Sequence, residues 1–236
     1  MLPFTDGLLK SVSLDGTIIL EIGPDRLKYY VHKALLVHYS EYFRNALKGP
    51  WKEAEEGVVK LVDVQPAAVN IFMHWLYIQD LPREHDFRAW EDILARERQT
   101  NFEIAMIRAY AFADRFLIPT FRRAINKTIV EYFKCGDPAL VCNIPDLATE
   151  AFSKIPADRP ILQFLVDEYC YWWTVGCETS DPPINLKEAP PAFLARSVRS
   201  YRTLLEYSRA GNGVNQCCYY EHTDEQEASA CGKLHM

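Results

Sequence analysis

No stretch of the 236-residue sequence approaches the roughly eighteen consecutive apolar positions that a membrane-spanning helix requires. Catalytic signatures are missing as well. There is no G-x-S-x-G elbow, no P-loop, no H-E-x-x-H and no dinucleotide fingerprint, and the histidines do not stand at a catalytic spacing from the carboxylates. The chain therefore reads as non-enzymatic and without a cofactor. Positive charge is short: 26 Lys and Arg face 32 Asp and Glu, a net charge of −6. That balance argues against a phosphate-binding surface, and so against direct reading of nucleic acid. The amino terminus, MLPFTDGLLKSVSL, lacks the basic segment and unbroken apolar run of a secretory leader. Seven cysteines make an odd count, which outside a secretory context favours reduced thiols in the cytoplasm or nucleus. No internal repeat is found.

What is present is core-forming material. Apolar residues make up 49% of the chain and aromatics 13%. The stretch around which the rest is organised is 27–51, LKYYVHKALLVHYSEYFRNALKGPW. It starts as a strand over 27–31, with Tyr29 and Val31 on one face and Tyr30 on the other. At His32-Lys33 the period changes, and Ala34, Leu35 and Leu36 gather on a short helical turn. Ser40 is a good N-cap, followed at helical spacing by Tyr42, Phe43, Ala46 and Leu47. Tyr42 and Phe43 are adjacent, so about 100° separates them on a helix. One is expected inside and the other at least partly outside. Gly49-Pro50 is expected to stop this helix.

Before it, Ile18, Leu20 and Ile22 alternate along a strand over 17–22, and Gly23-Pro24-Asp25 signals a turn. The two strands are expected to pair as a hairpin. After it, 58–62 reads as a strand. Pro66 opens a helix with Val69, Phe72, Met73, Leu76 and Tyr77 on one face. Residues 82–99 carry dense charge of both signs, with Phe87, Trp90 and Leu94 at helical spacing, and read as an inserted, exposed amphipathic turn. Thr100-Asn101-Phe102-Glu103 has the form of a capping box. It precedes a largely buried helix over 103–117, and Pro119 starts its partner with Phe121, Ile125, Ile129 and Tyr132 inward. Residues 140–155 read as two broken segments. Pro160 opens a strong helix to Trp173, with Ile161, Leu165, Tyr169 and Trp172-Trp173 as its apolar stripe. A last helix after Pro190-Pro191 is expected to turn Leu194, Val198, Tyr201 and Leu205 inward and Arg196, Arg199 and Arg202 outward.

The pattern of Val31, His32, Lys33, Leu36, Ser40, Tyr42, Phe43, Trp51 and Glu53 resembles the BTB/POZ family. Trp75-Leu76-Tyr77 resembles that family's closing aromatic-Leu-Tyr signature. The helical second half, with its Pro-Pro-x-Phe-Leu start, resembles the fungal members of the family. The resemblance implies an α+β fold, a small sheet capped by helical hairpins, followed by an all-helical extension. The domain division read from the chain is 12–135 for the BTB/POZ domain and 136–212 for the helical region. A Cys/His-containing polar tail, expected to be poorly ordered, covers 213–236.

The resemblance also implies function: a protein-protein interaction adaptor that recruits a client to a cullin scaffold of a ubiquitin ligase. The partner-binding residues carried over are Tyr42, Phe43, Leu47, Ile78 and Asp80. Cullin-binding relatives place hydrophobic-x-Glu after the second helix, and here Ile78-Gln79-Asp80 ends one methylene shorter. A small charged pocket of Asp15, His32 and Lys33 is likewise implied by position, with Leu14 standing where relatives carry Ser. The alternative is an oligomerising or transcription-associated scaffold. Family homodimers of the swapped kind use a long segment before the first strand, and only thirteen residues precede Leu14, so no swapped dimer is expected. In the tail, Cys218-x3-His222 and Cys231-x3-His235 form two pairs of zinc-ligand type beside Cys217. Relatives often carry Cys-x-Tyr-His-x-His here, and Tyr220 replaces a ligand, so no metal is favoured. The apolar stripe of the second half has no strand to cover it, and docking on the hairpin over 103–133 is expected.

Overall fold

A computed structural model describes residues 16–48, 51–83, 86–91, 101–133, 143–173, 186–208 and 219–234. Two compact units divide the chain: Met1–Leu81 with Glu91–Ile125, and Pro82–Trp90 with Asn126–Met236.

The first unit is built on three strands, β1 (Thr17–Ile22), β2 (Leu27–His32) and β3 (Val58–Leu61), in the order β2-β1-β3. The expected hairpin is there: β1 and β2 run antiparallel, with Ile22 opposite Leu27. Its turn needs positive φ at Gly23 and Arg26, and glycine supplies the first without a Cβ penalty. Alternation buries Ile18, Leu20 and Ile22. The third strand pairs parallel to β1 and ends at Leu61, leaving Val62 exposed. The crossover carries α1 (Lys33–Tyr39), α2 (Glu41–Ala46) and α3 (Lys52–Glu56). Helix α2 closes at Leu47, ahead of Gly49 and Pro50, which lie outside the described residues.

Helix α4 (Pro66–Ile78) has proline in its first turn, where the missing N–H costs nothing. Its buried face is turned from the expected one. Ile71 and Trp75 are inside together with Val69, Phe72 and Leu76, while Met73 and Tyr77 are half-buried at the margin. The apolar run continues round the helix, so sequence spacing alone does not select one stripe. Helix α5 (Phe102–Arg115) is N-capped by Asn101 with no side-chain cap bond. Thr100, the first residue of the expected capping box, is outside the described residues. Helix α6 (Pro119–Phe133) crosses the division between units, and up to Ile125 it belongs to the first. Arg122 and Asp114, both largely buried, form an ion pair at 2.7 Å between α5 and α6.

The second unit takes residues 126–133 of α6 as its own, and Phe133 meets Phe164 edge-on at 5.7 Å. That stretch is the part of the 103–133 hairpin on which the second half packs within this unit. A helical turn over 87–91 sets Phe87 against Tyr132; Leu94 lies outside the described residues. Where two broken segments are expected, one helix α7 (Ile144–Lys154) forms, and Leu140 is outside the described residues. Helix α8 (Pro160–Trp173) buries Ile161, Leu165 and Tyr169 as expected. The side chains of Trp172 and Trp173 lie outside the described ones. Among the described residues, no helix is long and apolar enough to cross a membrane.

Helix α9 (Pro191–Ser208) corrects the sequence reading. Among its described side chains, Phe193, Ser197 and Ser200 are buried and Val198 is 73% exposed, while the side chain of Leu205 lies outside the described ones. Small residues allow the α8 and α9 backbones to approach, and each serine hydroxyl is given work. Ser197 Oγ donates to the Phe193 carbonyl at 3.0 Å, and Gln163 Nε2 donates to Ser200 Oγ at 3.0 Å. The Cys170 thiol lies 3.6 Å from the Ser197 carbonyl, and burial pushes its pKa up to about 12, so it stays a protonated and poorly nucleophilic thiol. Nor is Arg196 simply solvated: it donates to the Ala157 carbonyl at 2.6 Å and lies over the Phe152 ring.

Within the polar tail, residues 219–234 are described. Tyr219 is buried and a further helix, α10, covers Glu225–Leu234. Asp224 Oδ1 accepts from the Glu227 N–H at 2.8 Å, an N-terminal cap that the polar reading of this segment passed over.

Ser40 ties the first unit together, and its removal tests this. The hydroxyl accepts from the Phe43 N–H at 3.0 Å and donates to the Phe116 carbonyl at 2.6 Å, fully buried. Ser40→Ala is expected to cost about 2 kcal/mol, a lost cap plus an unsatisfied carbonyl. Thermal and urea unfolding would measure it, and no loss of stability would contradict this role.

Candidate partner-binding surface

The short α2 helix separates its two aromatics as the geometry of a helix demands. Phe43 is fully buried and stacks on Phe116 with ring centroids 5.4 Å apart. Tyr42 is 39% exposed and leans edge-on against both Phe43 and Phe116. Arg44 ties α2 back to α1 by donating to the Val37 carbonyl at 3.1 Å and the His38 carbonyl at 3.2 Å. Of the residues carried over as partner contacts, Phe43 and Leu47 are both core, with nothing left to offer a partner. The correction has a simple cause. Phe43 and Leu47 are four apart and share one helical face, and that face is the buried one.

At the end of α4, Ile78 is 59% exposed and Asp80 is exposed. The helix is closed by Gln79 in the left-handed region, whose side-chain amide donates to the Trp75 and Leu76 carbonyls. That closure turns Ile78 outward and releases Asp80 beyond the helix. Asp80 Oδ1 accepts from the Leu81 N–H at 3.0 Å. One aromatic layer underlies both places. Phe116 meets Phe112, Phe112 meets Phe72, Phe72 meets Trp75, and Trp75 meets Tyr39 at 5.1 Å. Tyr42 thus stands on rings that are themselves immobilised by packing.

Sequence reasoning missed Leu117. It is 50% exposed and held at φ 52°, an unfavourable conformation for a bulky residue. Its carbonyl accepts from the Glu41 N–H at 3.4 Å, which sets it beside the start of α2. The available signal was a large apolar residue just before the Ile118-Pro119 helix start.

The charged pocket is met in part. Asp15 lies outside the described residues. His32 and Lys33 are half-buried, and the Lys33 N–H donates to the Gly16 carbonyl at 3.1 Å. His32 Nδ1 is 2.9 Å from Tyr77 Oη, which also accepts from the His32 N–H at 3.3 Å. Among the described residues, Tyr77 therefore holds the His32 ring. Sequence spacing had placed it on the core face of α4.

Most of the candidate tail ligands fall outside the described side chains. Cys217, Cys218 and His235 lie outside the described residues, as does the side chain of Cys231. The His222 ring packs near Tyr220. Among the described residues, no group of three or more His, Cys, Asp and Glu is placed to hold a metal ion.

The family model described as BTB/POZ domain matches residues 9–131 of the chain. No curated protein matches it.

His74 offers a titration at this surface. It lies on the outer side of α4, but partial burial of its ring lowers its pKa, and the charge of Asp80 opposes that shift. A histidine whose folded pKa is below the unfolded one binds fewer protons when folded. Its contribution to stability is complete above the unfolded value and is lost as pH falls from there through the lowered one. Asp80→Asn removes the opposing charge, so the His74 midpoint should fall further. NMR titration of the imidazole would show it, and an upward shift would contradict the pairing.

Proposed function

This chain belongs to the BTB/POZ domain family, whose domains mediate protein-protein contacts, and from that premise we propose that it is a non-enzymatic adaptor whose first unit binds the cullin scaffold of a ubiquitin ligase and whose helical unit binds a client. One observation carries the reading. Tyr42 is exposed on a floor of buried rings, with Phe43 below it as the anchor. A tyrosine held in this way presents a large amphipathic contact that loses little freedom on binding. Ile78, turned outward by the Gln79 closure, supplies a second apolar contact. Asp80 takes the place of the glutamate that follows in cullin-binding relatives, with a shorter reach and a bond to its own backbone. Recognition then rests chiefly on Tyr42 and Ile78.

Calorimetry with the full chain and purified amino-terminal cullin domains tests this. The wild-type protein is expected to bind one of them, and Tyr42→Ala or Ile78→Glu to weaken binding by about tenfold or more. Ile78 is mostly exposed, so Ile78→Glu should move the unfolding midpoint little, whereas Tyr42→Ala also loses two edge-on ring contacts and is compared at a temperature where circular dichroism shows it folded. Absence of binding to every cullin, together with a tight self-associated dimer in sedimentation, would replace the adaptor by the oligomerising scaffold.

A further inference from the structure

The contacts that hold Tyr219 on the helical unit include three that use only atom groups any tyrosine possesses. Its hydroxyl donates to Asp167 Oδ2 at 2.6 Å, its ring meets Phe164 edge-on at 5.3 Å, and its carbonyl accepts from Asn126 Nδ2 at 2.8 Å. The receiving groups are set in advance. Gln163 Nε2 donates to the other oxygen of Asp167 at 3.0 Å, and to Ser200 Oγ, so the carboxylate is aimed by α8 and α9 rather than by the tail. Phe164 and Asn126 are fully buried. One group is left over: among the described residues, the buried Asn126 Oδ1 has no hydrogen-bond partner. A buried acceptor without a partner carries a desolvation cost.

A primary amide that donates to a main-chain carbonyl and keeps a free acceptor beside it is suited to an extended peptide. The donor takes a C=O and the acceptor takes an N–H of the same strand. The described part of the tail satisfies only the first. Beyond Tyr219, residues 223–227, 229 and 230 are exposed, so the described side chains of α10 are mostly not held against the unit.

We propose that the slot between α6 and α8 is a tyrosine-recognition site for an extended protein segment, occupied in this chain by its own tail as a displaceable competitor. The client-binding role of the helical unit is the reading on which this rests. A client segment would place tyrosine over Phe164 with its hydroxyl on Asp167, and its backbone would use both atoms of the Asn126 amide. The phenol is read as a hydrogen-bond donor to a carboxylate. Phenylalanine would leave Asp167 Oδ2 without the phenol donor, and phosphotyrosine would set two anions against each other.

The test uses the full chain and a fluorescent peptide of residues 215–224 with both cysteines replaced by serine. A tethered competitor acts at an effective concentration on the order of millimolar. Tyr219→Ala, with its cis occupant removed, should therefore bind the peptide at least about tenfold more tightly than wild type. The same peptide with phenylalanine at the Tyr219 position should bind more weakly, and the phosphotyrosine peptide should not bind. Asp167→Asn should reduce the preference for tyrosine over phenylalanine. Circular dichroism checks that each variant is folded, and Tyr219→Phe, which keeps the ring, serves if Tyr219→Ala does not fold. A folded variant that fails to bind the peptide, or binds it no better than wild type, overturns the proposal and leaves Tyr219 a structural clamp. So does equal binding of the tyrosine and phenylalanine peptides. Tyr42 and Ile78 take no part in the assay, so its outcome is separate from that of the cullin measurement.

Discussion

The hydroxyl of Ser40 is the single group on which the first unit turns. It has one proton to give and lone pairs to receive, and it uses both inside the core. It donates to the Phe116 carbonyl and accepts from the Phe43 N–H. The first bond fixes the end of α5 and the second starts α2. Because the two ends share one oxygen, Phe43 is brought onto Phe116 as a stacked pair. Helical geometry then leaves Tyr42 no choice but the outside. Leu117 follows in the same chain of causes. Its carbonyl receives the Glu41 N–H, and the left-handed backbone at Leu117 is held in place by the bonds on either side. Strain of this size, of order 1–3 kcal/mol, persists only where the surroundings over-determine the conformation.

The second unit solves a different problem, that of bringing α8 and α9 close with few large side chains on one of them. Serines at Ser197 and Ser200 occupy the inward face of α9. Burying hydroxyls is costly unless each finds a partner. Ser197 turns back to the carbonyl four residues earlier and Ser200 receives Gln163. The same Gln163 reaches Asp167, so helix contact and the Tyr219 slot belong to one hydrogen-bonded line.

Much of the first unit was legible because local and global signals agree there. The Ile18-Leu20-Ile22 alternation, the Gly23-Pro24 turn, the Ser40 cap and Pro66 each name one structure, and that structure forms. The inward choice of Phe43 and Leu47 was not legible, because a partner face and a core face carry the same residue types. Tyr77 was missed since its role depends on a hydrogen bond to His32, 45 positions away. On α9 the reading failed for a physical reason. Hydrophobicity favours Val198 inside, but close helix approach favours small side chains, and the serines win because their hydroxyls are satisfied locally. Tyr219 sat in a polar segment whose composition says nothing about one aromatic anchor, and its contacts lie 52 and 93 positions away.

The carboxylate at position 80 bears on how the partner surface divides its work. A glutamate after a helix can extend away from its own backbone. Aspartate at Asp80 is short enough to accept the adjacent Leu81 N–H, and it does. A partner cation would have to compete with that bond or share the carboxylate, in a setting exposed enough that water screens the charge. The apolar contacts have no such competitor. Tyr42 is already braced by two rings, so ordering it on binding costs little side-chain entropy, and Ile78 is held outward by a closed helix end. On the proposed adaptor reading, affinity at this surface would shift from charge toward pre-organised apolar area, and binding would depend weakly on salt and strongly on the shape of the pocket that receives Tyr42.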